Sequence, residues 1–358
     1  MSTFIQLHLL TSYPPSNLNR DDLGRPKTAI MGGKNRLRIS SQSLKRAWRT
    51  SDLFESALGE HIGTRTKKMG IEIYKQLCSK GVSEASAIEL GKKIVSFFGA
   101  TESADKNNSL KELESSQLIH FNRSEINALT ALTDKIAREG KVEADDLKNL
   151  VAKRHDADIS MFGRMLTGKE VTKVTHDPEA AIQVAHAITV HEVAVEDDYF
   201  TAVDDLNRGE EDRGAAHIGE TEFAAGLFYL YICINRDLLI ENLGDDEGLA
   251  DKTLKALVEA AVKVGPTGKQ NSFASRAYAS YVLAEKGEQQ PRSLSVAFLK
   301  PVRGEDILAK AISEIETKRM NMEKIYGPCA DAHKVMNAET GSGSIDDIMT
   351  FLTEKGHA

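Results

Sequence analysis

The chain runs 358 residues, with 41% hydrophobic and 28% charged side chains and a formal net charge of −7. That length can bury a large core, and no apolar run approaches the roughly 18 residues that a membrane-spanning helix needs. Charge is uneven: residues 20–49 hold nine Lys or Arg against Asp21 and Asp22, a net +7, while residues 192–222 hold eleven Asp or Glu against Arg208 and Arg213, a net −9. An acidic body with one basic stretch meets a polyanion along a single track, not over its whole surface.

The opening MSTFIQLHLLTSYPPS has no basic leader or small-residue cleavage site. Its FIQLHLLTSY alternates as a first strand does, and Pro14 and Pro15 end it. The irregular polar segment SNLNRDDLGRPKTAIMGGKNR follows, with turns expected at Gly24, Gly32 and Gly33. LRIS then leads into a helix with Ser41 as the expected N-cap. Leu44, Ala47 and Trp48 recur at helical spacing and face a core, which leaves Gln42, Lys45, Arg46 and Arg49 on the other side. A helix N-terminus with serines and free N–H groups is a phosphate site, and cations one turn apart extend it along a strand.

Residues 51–150 turn helical and read as an insertion. In DISMFGRML, Met165 lies beside Phe162 and Arg164, a combination able to press on a base face without reading its sequence. Strand character returns at AAIQVAHAITVHEVAVEDDYFTAV and EFAAGLFYLYICIN, around a glycine-rich, charged tip, as in a long hairpin. Tyr199, Phe200, Thr201 and Val203 sit on its first arm. An amphipathic helix ADKTLKALVEAAVKV follows, then two expected strands, RAYASYVLAE and RSLSVAFLKPV, and helices over about 304–324 and 345–355. The mixture suits an α+β sandwich of one sheet backed by helices.

Signals for catalysis are weak. His186, His191 and His217 with Asp204, Asp205 and Glu222 match no metal-ligand spacing. No nucleophile elbow, Cys–His pair, dinucleotide fingerprint or phosphate-binding nucleotide loop occurs. Cys78, Cys233 and Cys329 are unpaired in spacing and suggest a reduced, cytoplasmic setting. Neither cofactor nor metal is expected.

The block NRDDLGRPKTAIMGGKNRLRISSQSLKRAWR closely resembles the N-terminus of the CasC family, the crRNA-binding backbone subunit of type I-E CRISPR Cascade in the Cas-seven superfamily. The likeness continues in order through DISMFGRML, AIQVAHAITVHEV, DDYFTAVDDL, GAAHIGETEFAAGLFY and GPTGKQNSFA. It implies an α+β fold with a ferredoxin- or RRM-like palm from 1–50 and 155–300, helical fingers from 51–154 and a thumb hairpin from 193–224. A helical segment from 301–358 follows. It further implies a non-enzymatic subunit that polymerises head to tail on crRNA, an open filament of heterologous contacts, and kinks the guide at fixed intervals for pairing with target DNA.

Carried over by position, Arg20, Lys27, Ser40, Gln42, Lys45 and Arg49 become the backbone-contacting set. Met165 is the wedge, joined by the thumb's Tyr199, Phe200, Thr201 and Val203. Arg38, Arg46, Arg164, Lys269 and Gln270 are further RNA contacts, and Lys148, Lys153 and Arg154 approach target DNA. Implied partners are crRNA, target DNA through it, neighbouring copies, the large, small, Cas-five-type and Cas-six-type subunits, and a recruited helicase-nuclease, with no membrane. The alternative is a type III-like subunit that cleaves bound target RNA, for which Asp21 and Asp22 lie in the relevant loop. The −9 hairpin of one copy is also expected near the +7 stretch of the next.

Overall fold

The computed structural model describes residues 2–152, 154–175, 177–202 and 217–354. The chain forms two compact units, one of Met1–Phe54, Gln183–Asn235 and Leu254–Ala358, the other of Glu55–Ile182 and Arg236–Thr253.

The first unit is built on β1 (Phe4–Ser16), the centre of a large sheet. Its antiparallel neighbours are the strands Ala279–Gly287 and His217–Asn235, with Leu7 opposite Ala284 on one side and Ile232 on the other. A central strand is covered on both faces, so β1 buries its alternate residues too, including Gln6 and His8. The sheet runs onward through Ala187–Thr189 to β3 (Lys34–Ile39) and β2 (Thr28–Met31), and outward on the far side to Ala332–Asn337. One face packs Leu10, Tyr229, Leu283 and Phe298 against Ala311 and Ile315 of the helix Ile307–Tyr326. Each such aliphatic or aromatic side chain stabilises by about 1.5–3 kcal/mol when fully buried.

The segment expected to be irregular is thus a hairpin. Met31 pairs with Lys34 across Gly32 and Gly33, whose φ values of 59° and 72° are those of a two-residue primed turn. The short strands carry little signal, because TAIM is four residues long with no buried position and the burial of KNRLRI does not alternate. α1 (Ser41–Arg49) follows, and its cap is Ser40, not Ser41: the Ser40 hydroxyl accepts from the Ser43 N–H at 3.3 Å. Leu44 and Trp48 are buried as expected, and Trp48 Nε1 donates to the Val264 carbonyl at 3.1 Å.

Two later expectations change. RSLSVAFLKPV contains the short 3-10 turn Ser295–Phe298 and no strand, because its Leu294, Ala297 and Phe298 are buried at helical spacing. The 301–358 segment is not wholly helical: Ala332–Asn337 forms the sheet's edge between the helices Ile307–Tyr326 and Ile345–Thr353.

The second unit is mostly helical, with Ile73, Leu77, Ile94, Phe98, Phe121, Leu132 and Ile136 in its core. It takes in 155–182 and 236–253 in addition to the helices of the insert. Asn242 binds those segments together, its amide donating to the carbonyls of Ser160 and Glu179 at 3.1 and 2.9 Å. Among the described residues, no helix is long and apolar enough to cross a membrane.

Candidate nucleic-acid interface

The basic stretch divides by what each cation already touches. Arg36 is fully buried, and its guanidinium donates to the carbonyls of Thr189 and Phe298, both at 2.9 Å. Arg25 pairs with Glu222 at 3.1 Å and Lys34 with Glu192 at 3.2 Å. Acids matching the basic stretch therefore exist, and they come from the hairpin of the same chain. Two of the acids expected to attract a neighbouring copy are already engaged here.

Arg38 donates to His186 Nδ1 at 3.1 Å. A guanidinium can only donate, so that nitrogen carries no proton. Burial, and then the charges of Arg38 and Lys27, hold His186 below the usual histidine range. This places Lys27 and Arg38 together beside one neutral imidazole. Lys45 is half-buried, and burial lowers its ammonium below the usual lysine range.

An open cleft of ≈ 1410 Å³ lies in the first unit, against α1. Arg20, Arg46 and Arg276 line it with Leu53, Gln270 and Tyr278. All three guanidiniums are exposed, and none makes an ion pair among the described residues. Its walls are closely packed at two glycines: a side chain at Gly268 would meet the Leu18 carbonyl oxygen at 2.3 Å, and one at Gly265 the Tyr13 hydroxyl at 2.6 Å. Asn17, fully buried, holds the wall's 18–24 loop by donating to the carbonyls of Gly24 and Glu222 at 3.0 and 2.9 Å. Helical spacing puts Ser43, Arg46 and Ala47 of α1 and its C-cap Thr50 on this cleft, while Gln42, Lys45 and Arg49 share the adjoining face.

Of the backbone-contacting set, then, Arg20 lines the cleft, joined by Arg46 and Gln270 from the further contacts, while Gln42, Lys45 and Arg49 lie on the adjoining face of the same helix. Ser40 is buried and serves as the helix cap. Lys269 is exposed in a left-handed conformation, φ 50°, one residue from Gly268. Arg276 and Tyr278 were missed because RAYASYVLAE reads as strand, whereas the strand begins only at Ala279. An arginine and a tyrosine just ahead of a strand start were the available signal.

On the hairpin, Glu196–Ala202 pairs with the first residues of His217–Asn235, with Tyr199 opposite Glu220 and Phe200 opposite Gly219. Tyr199 is 66% exposed and Phe200 44%, and Thr201 is exposed on the face that Tyr199 shares. Val203, Asp204 and Asp205 lie outside the described residues, as does Lys153. The hairpin base is held by His191, whose Nδ1–H donates to the Glu192 carbonyl at 2.9 Å while Nε2 accepts from the Leu227 N–H at 3.1 Å. With both nitrogens engaged, His191 is no metal ligand. The described residues contain no His, Cys, Asp and Glu group arranged for a metal ion.

In the second unit Met165 is 70% exposed. Arg164 beside it is not available to RNA: its side chain is 1% exposed and forks onto buried Glu125 at 2.7 and 2.9 Å. Lys148 pairs with Asp145 at 2.8 Å, and Arg154 donates to the Leu243 carbonyl and pairs with Asp246 at 3.4 Å.

The chain thus combines an antiparallel sheet, a helical unit, an aromatic-bearing hairpin and a cleft of exposed guanidiniums against α1. Residues 5–350 match the family described as "CT1975-like protein". The chain belongs to that family. This CT1975-like chain also matches solved structures. One, titled "CRISPR RNA-guided surveillance complex, pre-nicking", is 29% identical, with 98% of this chain and 99% of that one covered at a TM-score of 0.85. Another, titled "CRISPR RNA-guided surveillance complex", is 25% identical, with 96% and 94% covered at 0.73. No curated protein matches. The family and both likenesses are of the Cas-seven type, and the α+β fold of palm, fingers and thumb expected from the sequence is the fold of this chain.

Proposed function

We propose that this CT1975-like chain is the backbone subunit of a CRISPR surveillance complex of type I-E, the Cascade, and that it works by binding and not by catalysis. The observation that carries the reading is the cleft of unpaired guanidiniums, Arg20, Arg46 and Arg276, against α1, where Arg25, Lys34 and Arg36 of the basic stretch are already engaged. Exposed cations without acid partners, grouped along one cleft, hold phosphates. The likeness to chains of RNA-guided surveillance complexes over nearly the whole length supplies the polyanion: a crRNA.

The protein grips sugar and phosphate without reading sequence, and pairing between guide and target DNA supplies specificity. Met165 and the thumb's Tyr199 and Phe200, exposed apolar groups, displace one nucleotide at intervals. Copies assemble head to tail along the guide, in the cytoplasm, with the large, small, Cas-five-type and Cas-six-type subunits, and a helicase-nuclease is recruited to cut. The cleaving alternative finds little support. Asp21 Oδ1 accepts from the N–H groups of Leu23 and Arg25, both at 2.9 Å, as a turn-forming aspartate does.

Arg20→Glu with Arg46→Glu tests the reading. The complex purified with this variant is expected to lose guide RNA, while the unaltered complex yields repeat-derived transcripts on sequencing. Full guide retention by the variant overturns the proposed interface. Regularly spaced cuts in complementary RNA with magnesium would establish the cleaving alternative instead.

A further inference from the structure

Met165 sits on a bracket built from residues far apart in the chain. The helix Ala157–Phe162 stops at Gly163, whose φ of 73° turns the chain, and whose N–H closes the helix on the Ile159 carbonyl at 2.8 Å. The next three residues then alternate inward, outward, inward. Arg164 points into the second unit, Met165 is exposed, and Leu166 is buried.

Both inward residues are held by buried or half-buried acids. Arg164 Nη1 and Nη2 fork onto Glu125, and Nη1 also donates to the His120 carbonyl at 3.2 Å. Glu125 is fully buried, and its carboxylate accepts two further N–H groups, from Asn122 at 2.8 Å and Ala152 at 3.1 Å. Four donors fix that carboxylate, so the guanidinium on it cannot swing. On the other side, Asp177 Oδ2 accepts from the Leu166 N–H at 2.5 Å. Its second oxygen, Oδ1, faces Arg164 Nε at 3.7 Å, and both atoms are buried without a hydrogen bond. One cation thus ties the acids on either side of Met165 into a single frame.

We infer that Glu125, Arg164 and Asp177 are positioning residues that hold Met165 rigidly outward against a nucleobase, so that the wedge displaces a nucleotide rather than folding away. A thioether has three rotatable bonds and is among the most adaptable apolar side chains. Unstacking a base costs free energy at every step. A flexible wedge on a loose loop would yield before the stack did, whereas one with both neighbours clamped transmits the load to the helical unit. The inference rests on the reading of Met165 as the wedge, and it adds the residues that make that wedge stiff.

The test uses the assembled complex on a guide carrying 2-aminopurine at successive positions, since the probe brightens where a nucleotide is unstacked. Three variants are compared with the unaltered chain: Met165→Ala, the double variant E125Q/R164M, and Asp177→Ala. The double variant removes both charges of the buried Glu125–Arg164 pair together, and the glutamine keeps an acceptor for one of the two flanking N–H groups, which bond to different carboxylate oxygens. Asp177→Ala leaves the buried ion pair intact. Periodic bright positions in the unaltered complex are expected to dim with Met165→Ala, and to dim likewise with E125Q/R164M although the guide stays bound and the complex stays assembled. Asp177→Ala is expected to dim them in part. Undiminished brightness with both clamp variants, alongside loss with Met165→Ala, overturns the clamp and leaves the wedge standing. Undiminished brightness with Met165→Ala overturns the wedge and the inference with it.

Discussion

A guanidinium shielded from water must find acceptors for its N–H groups, and Arg36 finds the carbonyls of Thr189 and Phe298. Sequence alone ranks it with the other cations of the basic stretch. Burial makes it a structural staple between β3, the strand Ala187–Thr189 and the Ser295–Phe298 turn. Arg36→Met is therefore expected to lower stability by about 3 kcal/mol, because two carbonyls lose partners and each such loss costs roughly 1–3 kcal/mol. The urea midpoint reads this, and the folded fraction should still retain guide RNA. His155 makes a second case. Burial, and then the Arg164 charge, hold it down at about 4, against an ordinary value of 6.5. Its Nδ1 lies 3.4 Å from the Asn122 amide, which donates, so the ring is neutral. A histidine with a lowered folded value takes up its proton in the unfolded chain first. Its contribution is thus whole above pH 6.5 and is lost as pH falls toward 4, about 3 kcal/mol in all. Glu285, held down at about 2 with His8 and Arg292 bonded to it although burial opposes the shift, extends the loss from 4.5 toward 2. Asp156 and Asp177, raised chiefly by burial, oppose this in part, since they favour the folded form on the acid side. Stability measured from pH 7 to 4 should fall, and His155→Gln should flatten that fall. A flat curve for the unaltered chain would contradict the burial of a neutral ring.

At the scale of elements, the β2–β3 hairpin tests how a turn is specified. Gly32 and Gly33 both take positive φ, but their surroundings differ. A side chain on Gly32 would sit 1.7 Å from the Leu299 carbonyl oxygen, whereas nothing lies within 4 Å of one on Gly33. Gly33→Ala should cost only the strain of the left-handed conformation, about 1–2 kcal/mol. Gly32→Ala adds a backbone clash and should cost clearly more, which paired denaturation curves resolve. These glycines also show what the sequence carries. MGGK announces a turn, but it does not announce strands on both sides, because β2 is four residues with no buried position, far from β1 in the sheet, and the burial of β3 does not alternate. FIQLHLLTSY was legible as a strand and α1 as a helix, since their apolar spacing is set by burial on fixed faces. Ser40 could not be told from Ser41 as cap, for two adjacent serines offer the same chemistry and only the backbone angle decides. Arg164 was misread for a different reason: its partner Glu125 lies 39 residues earlier, and no local pattern marks a buried pair. The cleft was half legible. Arg20, Arg46 and Gln270 came from the basic stretch and a glycine turn, but Arg276 and Tyr278 come together with them only through tertiary structure.

On the scale of the whole molecule, a formal charge of −7 must coexist with a grip on RNA. Screening makes this feasible, since at physiological salt a charge is felt over about 8 Å and distant acids do not cancel the cleft. What matters is which cations reach phosphate without first leaving an acid. Each neutralised phosphate on a single strand changes the slope of log affinity against log salt by about −0.7. If all nine cations of 20–49 contributed, one subunit would show a slope near −6 from that stretch alone. Arg36 is buried, Arg25 is paired with Glu222 and Lys34 with Glu192, so at most six of the nine contribute and the slope from the same residues is no steeper than about −4. Single substitutions sharpen the distinction. Arg46→Gln and Arg276→Gln should each make the slope of binding to a short unstructured RNA shallower by about 0.7, while Arg25→Gln and Lys34→Gln should leave it unchanged. Exposed ion pairs are individually weak, about 0–1 kcal/mol, so RNA could in principle draw Arg25 and Lys34 away from the hairpin acids. In that event all four variants would shift the slope alike, and the hairpin acids would be competitors for the guide's own contacts. An unchanged slope for Arg25→Gln and Lys34→Gln instead means that Glu192 and Glu222 keep those two cations at the base of the hairpin, and that the track for RNA is the narrower one beside α1.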